Sequence, residues 1–230
     1  MNQLTRSIAL TRALVTLIRD PNRLEMVFEL RDSLADPKIM DQLVEKLSKD
    51  PRIALSFIQR HRLKIDLDAL SRLPEGTLGR AYAENMRRLG LDPAAIPVLS
   101  SNNPRDFFSA HLYETHDLWH TLTGFATDVA GELGLQAFYM AQIGGGLPIA
   151  LLTAGAVNTA LLSRADAANR MDEIARGWQM GRAAKPIFGV HWDELWAVPL
   201  AEVRRRFDIA VPSREANHLD RGSDGARLAA

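Results

Sequence analysis

"HDLWHTLTGFATDVAGELG", residues 116–134, holds two histidines four apart, an aspartate between them and a glutamate twelve residues beyond the second. On a helix His116 and His120 lie one turn apart on the same face, with Asp117 three before His120. Imidazole nitrogens at that spacing can both reach one ion, so the patch reads as a metal site. Glu132 decides which fold must carry it. On an unbroken helix it would lie about 18 Å along the axis from His120, beyond shared coordination. Gly124 is a helix stop and Thr127 or Asp128 an N-cap, so the stretch reads as two helices with a turn between them. His120 then sits about one turn before the bend and Glu132 about one turn after it. An antiparallel hairpin would bring the two face to face. The expected ligand set is His116, Asp117, His120 and Glu132.

Two imidazoles and two carboxylates suit zinc and would accept iron or manganese. Imidazole ligation argues against a dedicated calcium or magnesium site. A carboxylate not committed to the metal, Asp117 or Glu132, is placed for acid–base catalysis.

Residues 133–163 follow without a single charge. Gly144, Gly145, Gly146 and Pro148 break this run near its middle, and each half falls short of the roughly 20 residues that span a bilayer. It reads as a pair of buried helices or as the wall of a channel for a lipid-like ligand. Ala150, Ala154, Gly155, Ala156 and Ala160 would leave room for such a ligand, or would allow close helix contact.

Elsewhere the patterning is also helical. Asp-Pro pairs at 20–21, 36–37, 50–51 and 92–93 read as helix starts, with aspartate as N-cap and proline in the first turn. After the second pair Ile39, Met40, Leu43, Val44 and Leu47 share a face; after the third, Ile53, Ala54, Phe57 and Ile58 do. The first twenty residues read as an amphipathic helix, with Leu4, Ile8, Val15 and Ile18 on one face and Leu14 and Leu17 beside it. Arg12 interrupts the apolar part, which argues against a signal peptide and for a cytoplasmic chain beginning at Met1. A helix is expected from about Thr77 to Arg88, stopped at Gly90, and a loop over 100–106. Only "LKIDLDAL" at 63–70 alternates like a strand. The polar tail 213–230 reads as disordered. The expectation is an all-α, single-domain helical bundle over residues 1–212.

The chain has 230 residues, 47% hydrophobic and 24% charged, with no cysteine and zero formal net charge. Zero charge removes the footprint of a nucleic-acid binder, and the lack of cysteine excludes disulfides, thiolate metal sites and cysteine nucleophiles. Trp192 and Trp196 read as core packing, and Arg204, Arg205 and Arg206 as a solvated helix end or a contact with anionic lipid. His61, His111, His191 and His218 show no partner pattern. His111 lies roughly 140° round the helix from His116, which makes it a poor co-ligand.

The HDxxH-x11-E arrangement, with its flanks "HDLWHTLTGF" and "GELGLQAF", is similar to the signature of the coenzyme Q (ubiquinone) biosynthesis protein "number four" family. "PEGTLGRAYAENM" (74–86) and "HWDELWAVPLAEVRRRF" (191–207) look like blocks of the same family, so the resemblance covers roughly Leu73 to Phe207. It implies an α-helical protein holding a divalent metal, zinc above all, through His116, Asp117, His120 and Glu132. It implies an apolar cavity for polyprenyl ligands and peripheral contact with the membrane and with other ubiquinone-biosynthesis enzymes. A second copy of the chain is a further expected partner. The lack of a transit peptide points to a bacterial relative, working in the cytoplasm or on the inner face of the cell membrane. The expected activity is metal-dependent removal of the C1 carboxyl from a polyprenylated 4-hydroxybenzoate. Asp117 or Glu132 would supply the proton. The rivals are a non-catalytic prenyl-lipid carrier or scaffold, and a prenyl-phosphate hydrolase.

Overall fold

Helix-forming patterns fill the chain, and helices are what it forms. A computed structural model describes residues 3–93 and 98–212. In order they make α1 (Gln3–Arg19), α2 (Leu24–Leu34), α3 (Pro37–Leu47), α4 (Pro51–Gln59), α5 (Leu67–Ser71), α6 (Leu78–Leu89), α7 (Pro104–Thr123), α8 (Val129–Gln142), α9 (Gly146–Leu162), α10 (Ala167–Ala183) and α11 (Leu200–Arg206), with 3-10 turns at Arg164–Asp166 and Trp192–Leu195. Among the described residues β pairing is limited to one isolated bridge, Thr77 with Pro199. The all-helical expectation is met. The tail expected to be disordered, 213–230, lies outside the described residues.

Two compact units interleave along the chain. One is drawn from the segment up to Met40 and from Phe125–Arg182, the other chiefly from Asp41–Gly124 and the segment from Ala183. In the first, α1, α2 and α9 pack around Ala13, Leu17, Leu30 and Ala154, with Leu10, Leu14, Ile18 and Val27 among the half-buried neighbours. The buried stripe of α1 is therefore Leu10, Ala13, Leu14 and Leu17, spaced i, i+3, i+4, i+7. Leu4, Ile8 and Val15, expected on one apolar face, are exposed. The helix is apolar on most sides, so periodicity alone did not select the face that meets α2 and α9.

Small residues draw the helices of this unit together. A Cβ at Gly177 on α10 would overlap the Gly134 carbonyl of α8, and one at Gly155 on α9 would overlap the Leu133 side chain. Gly155 and Ala154 thus serve close helix contact, whereas Ala156 and Ala160 face outward. Arg170 of α10 is buried and donates to Asn158 Oδ1 (2.7 Å) and Thr159 Oγ1 (3.1 Å) of α9 and to Asp166 Oδ2 (2.7 Å). Asn158 in turn donates to the Ile18 carbonyl at 2.8 Å. Charge and amide are satisfied where burial alone would be costly.

In the second unit, the segments 74–86 and 191–207 meet. The amides of Leu78 and Gly79 donate to the Val198 and Trp196 carbonyls (both 2.9 Å), and Leu200 N–H to the Gly76 carbonyl (2.8 Å). Tyr82 stacks on Trp196 at 5.7 Å, and both tryptophans, Trp192 and Trp196, are buried as expected. Thr77 caps α6 and Gly90 ends it at φ +67°, within a residue of the expected limits. Asp36 and Asp50 start α3 and α4 by accepting from the Lys38 and Arg52 amides (both 2.9 Å). Asp20-Pro21 instead forms a turn, and α2 begins at Leu24. Ile58 and Ile39 are exposed, although Ile53, Phe57 and Leu47 are buried. The one strand candidate fails because Asp66 Oδ1 accepts from the Ala69 amide and starts α5.

Candidate metal centre

The long helix α7 carries the histidines and is fastened at both ends. At its start the Asn103 side chain accepts from the Asp106 amide at 3.0 Å, with Pro104 in the first turn. At its end Gly124 turns left-handed (φ +73°), and its amide donates to the His120 carbonyl at 2.9 Å. Glycine suits that turn because a side chain rarely adopts this φ. Four residues later Asp128 starts α8, accepting from the Gly131 amide at 2.8 Å. A Cβ at Gly131 would overlap the Ala126 carbonyl, so the linker folds tightly over the new helix. Glu132 falls in the first turn of α8. The expected break between Gly124 and Asp128 is present, and no continuous helix joins His120 to Glu132.

His116, His120 and Glu132 each offer a ligand atom within 4.8 Å of the other two. Two donors on one tetrahedral ion at bonds of about 2.1 Å lie about 3.4 Å apart, so side-chain rotation must draw these atoms closer for shared coordination. His120 is buried, His116 and Glu132 half-buried, and the two imidazoles stand at right angles with ring centres 4.8 Å apart. Two imidazoles and one carboxylate match three-ligand zinc sites, which leave one position open, and would also take iron or manganese.

Asp117 is not part of that group. It is buried on α7, and its charge acts on the Tyr82 phenol of α6, whose pKa is raised above the ordinary range first by burial and then by Asp117. The structure thus brings together three of the four expected ligands. Tyr82, unassigned from the sequence, feels the charge of the fourth.

His111 has a different setting. It is buried among Phe107 and Phe188, its Nε2 accepts from the Gly189 amide at 3.0 Å, and burial pushes its pKa down to about 3. The ring is neutral and Nδ1 carries the proton. His61 and His191, unassigned from the sequence, stack at 4.3 Å, and His61 pairs with Asp193 (2.9 Å). The three consecutive arginines divide. Arg205 and Arg206 pair with Glu202 at the surface, whereas Arg204 donates to the carbonyls of Leu122 (2.8 Å) and Thr121 (3.0 Å) at the end of α7. The solvated reading holds for two of them and is corrected for Arg204.

A family model described as coenzyme Q (ubiquinone) biosynthesis protein Coq4 matches residues 1–213. The chain belongs to the Coq4 family. Coq4 relatives include the ubiquinone biosynthesis protein of Yarrowia lipolytica, 30% identical over 200 residues that make up 84% of this chain and 75% of that protein. The Danio rerio homologue is 27% identical, with 86% and 74% covered. Both are named as mitochondrial. The crystal structure of a ubiquinone biosynthesis protein from Nostoc punctiforme superposes with a TM-score of 0.79 at 31% identity, covering 91% of this chain and 99% of that one. As a Coq4 protein the chain is a ubiquinone-biosynthesis protein, and its candidate metal-binding triad is His116, His120 and Glu132.

Proposed function

We propose that this Coq4 protein is a metal-dependent carboxy-lyase that removes the C1 carboxyl of a polyprenylated 4-hydroxybenzoate. The observation that carries the reading is the triad, three protein donors of a set that leaves a coordination position for substrate. His116, His120 and Glu132 would hold the ion. Bound there, a divalent metal, zinc by preference, would supply Lewis acidity toward the substrate's carboxylate or phenolate. The ring–carboxyl bond breaks, carbon dioxide leaves, and the electron pair stays on the ring carbon, which must gain a proton. Asp117, buried on α7 and outside the triad, would relay that proton to the ring carbon. Glu132 is the alternative donor if its carboxylate is released from the metal.

The prenyl tail needs an apolar host, and the charge-free α8–α9 segment is the natural one. Among the described residues no single helix is long and apolar enough to cross a membrane. Exposed Leu4, Ile8 and Val15 on α1, and Ile149, Leu161 and Leu162 on α9, support peripheral contact with a lipid surface. The same exposed apolar residues favour a second reading, a non-catalytic prenyl-lipid carrier for a ubiquinone-biosynthesis complex. Incubating the zinc-loaded protein with a short-chain prenylated 4-hydroxybenzoate separates the two. Loss of carbon dioxide by mass spectrometry, abolished in Asp117→Asn, supports the enzyme. Tight binding of the unchanged compound supports the carrier.

A further inference from the structure

We infer that Arg204 is a positioning residue for the metal centre, holding the last turn of α7 and with it the backbone of His120. The inference rests on the metal reading of the triad. A helix leaves its last four carbonyls without intrahelical partners. In α7 these belong to His120, Thr121, Leu122 and Thr123. The Gly124 amide takes the first, and the Arg204 guanidinium takes the next two through Nη2 and Nε.

Those bonds matter more here than at an ordinary helix end. The guanidinium is largely buried, and desolvation lowers its pKa, so its charge depends on the carbonyls it meets and on the negative end of the helix dipole. Val203, its neighbour on α11, is fully buried and anchors that helix. The turn below is equally confined, since a Cβ at Gly124 would come within 2.9 Å of Val211 Cγ1. The residues 200–211 thus close over the end of α7 within one compact unit. His120 contributes its imidazole from that same last turn. Loss of two carbonyl partners would let the turn fray and the imidazole wander from the geometry that shared coordination demands. Groups that orient metal ligands indirectly change metal affinity by roughly 10- to 100-fold when removed.

Arg205 provides the control, because it is the same residue type on the same helix but pairs with Glu202 in solvent. Cobalt(II) titration of the metal-free protein, followed by visible absorption, compares wild type with Arg204→Gln, Arg204→Lys and Arg205→Gln. The expected result is a Kd about tenfold weaker for R204Q, an intermediate value for R204K, which can still reach one carbonyl, and no change for R205Q. Changed ligand-field bands in R204Q would mark altered coordination, which general destabilisation would not produce. If R204Q fails to fold, R204K against R205Q carries the comparison. Equal affinity and spectra in R204Q, R204K and wild type would overturn the inference. A wild-type protein that binds no cobalt and no zinc would defeat the metal reading itself. Faster amide exchange at Gly124 in the R204Q protein would then still report the lost cap, whereas unchanged exchange would remove that as well.

Discussion

The two halves of α7 place the same side chain in opposite settings. Towards its start, His111 is sealed between Phe107 and Phe188 and accepts a backbone N–H. Towards its end, His116 and His120 gather with Glu132 from the next helix. What separates them is the company each keeps. An imidazole buried against aromatic rings and bonded to a backbone amide is held neutral and structural, whereas imidazoles that gather with a carboxylate form a donor set an ion could use.

Four changes test that contrast. His120→Ala should weaken zinc binding by more than about 100-fold, measured by competition against a chromophoric chelator, while the metal-free protein keeps its helical circular dichroism. A large drop in the melting temperature of the metal-free form would instead make His120 structural, like His111. His111→Leu should do the reverse. It leaves the Gly189 amide without its acceptor and should cost about 1–3 kcal/mol in urea unfolding, with zinc affinity unchanged. Gly124→Ala forces a left-handed alanine against Val211 and should cost about 1–2 kcal/mol. Because it disturbs the turn after His120, it should also weaken zinc binding, which His111→Leu does not.

The fourth change is in pH. His111 binds a proton below about pH 6.5 when unfolded but only near pH 3 when folded. Its stabilising contribution is therefore complete above pH 6.5 and is lost as pH falls through the window between the two values. The slope reaches up to about 1.4 kcal/mol per pH unit. His111→Gln, which keeps an acceptor for Gly189, should flatten the difference in unfolding free energy between pH 6.5 and 5. An unchanged slope would assign the pH dependence to other groups.

Much of this contrast is legible in the sequence where short-range chemistry decides. Gly124 and Asp128 announce the break that frees Glu132 from α7, just as Thr77 and Gly90 bound α6 and Asp50 starts α4. The spacing of His116, His120 and Glu132 needs only those local signals. What sequence does not supply is the choice made by distant packing. Of three consecutive arginines, Arg204 turns inward because α11 lies against the end of α7, a contact 82 residues away along the chain. The buried face of α1 is likewise chosen at a distance, since its neighbours α2 and α9 select the Ala13–Leu17 stripe. Asp117 shares the helical face of the histidines by spacing, yet its carboxylate is set apart from the triad and felt by Tyr82.

One divalent ion should sit on His116, His120 and Glu132. Anomalous diffraction at the zinc edge, on crystals of the zinc-loaded protein, tests it directly. The expected result is one strong peak within about 2.3 Å of a nitrogen of each histidine and of a Glu132 oxygen. A peak elsewhere, or one bound by the histidines with Glu132 turned away, would contradict it.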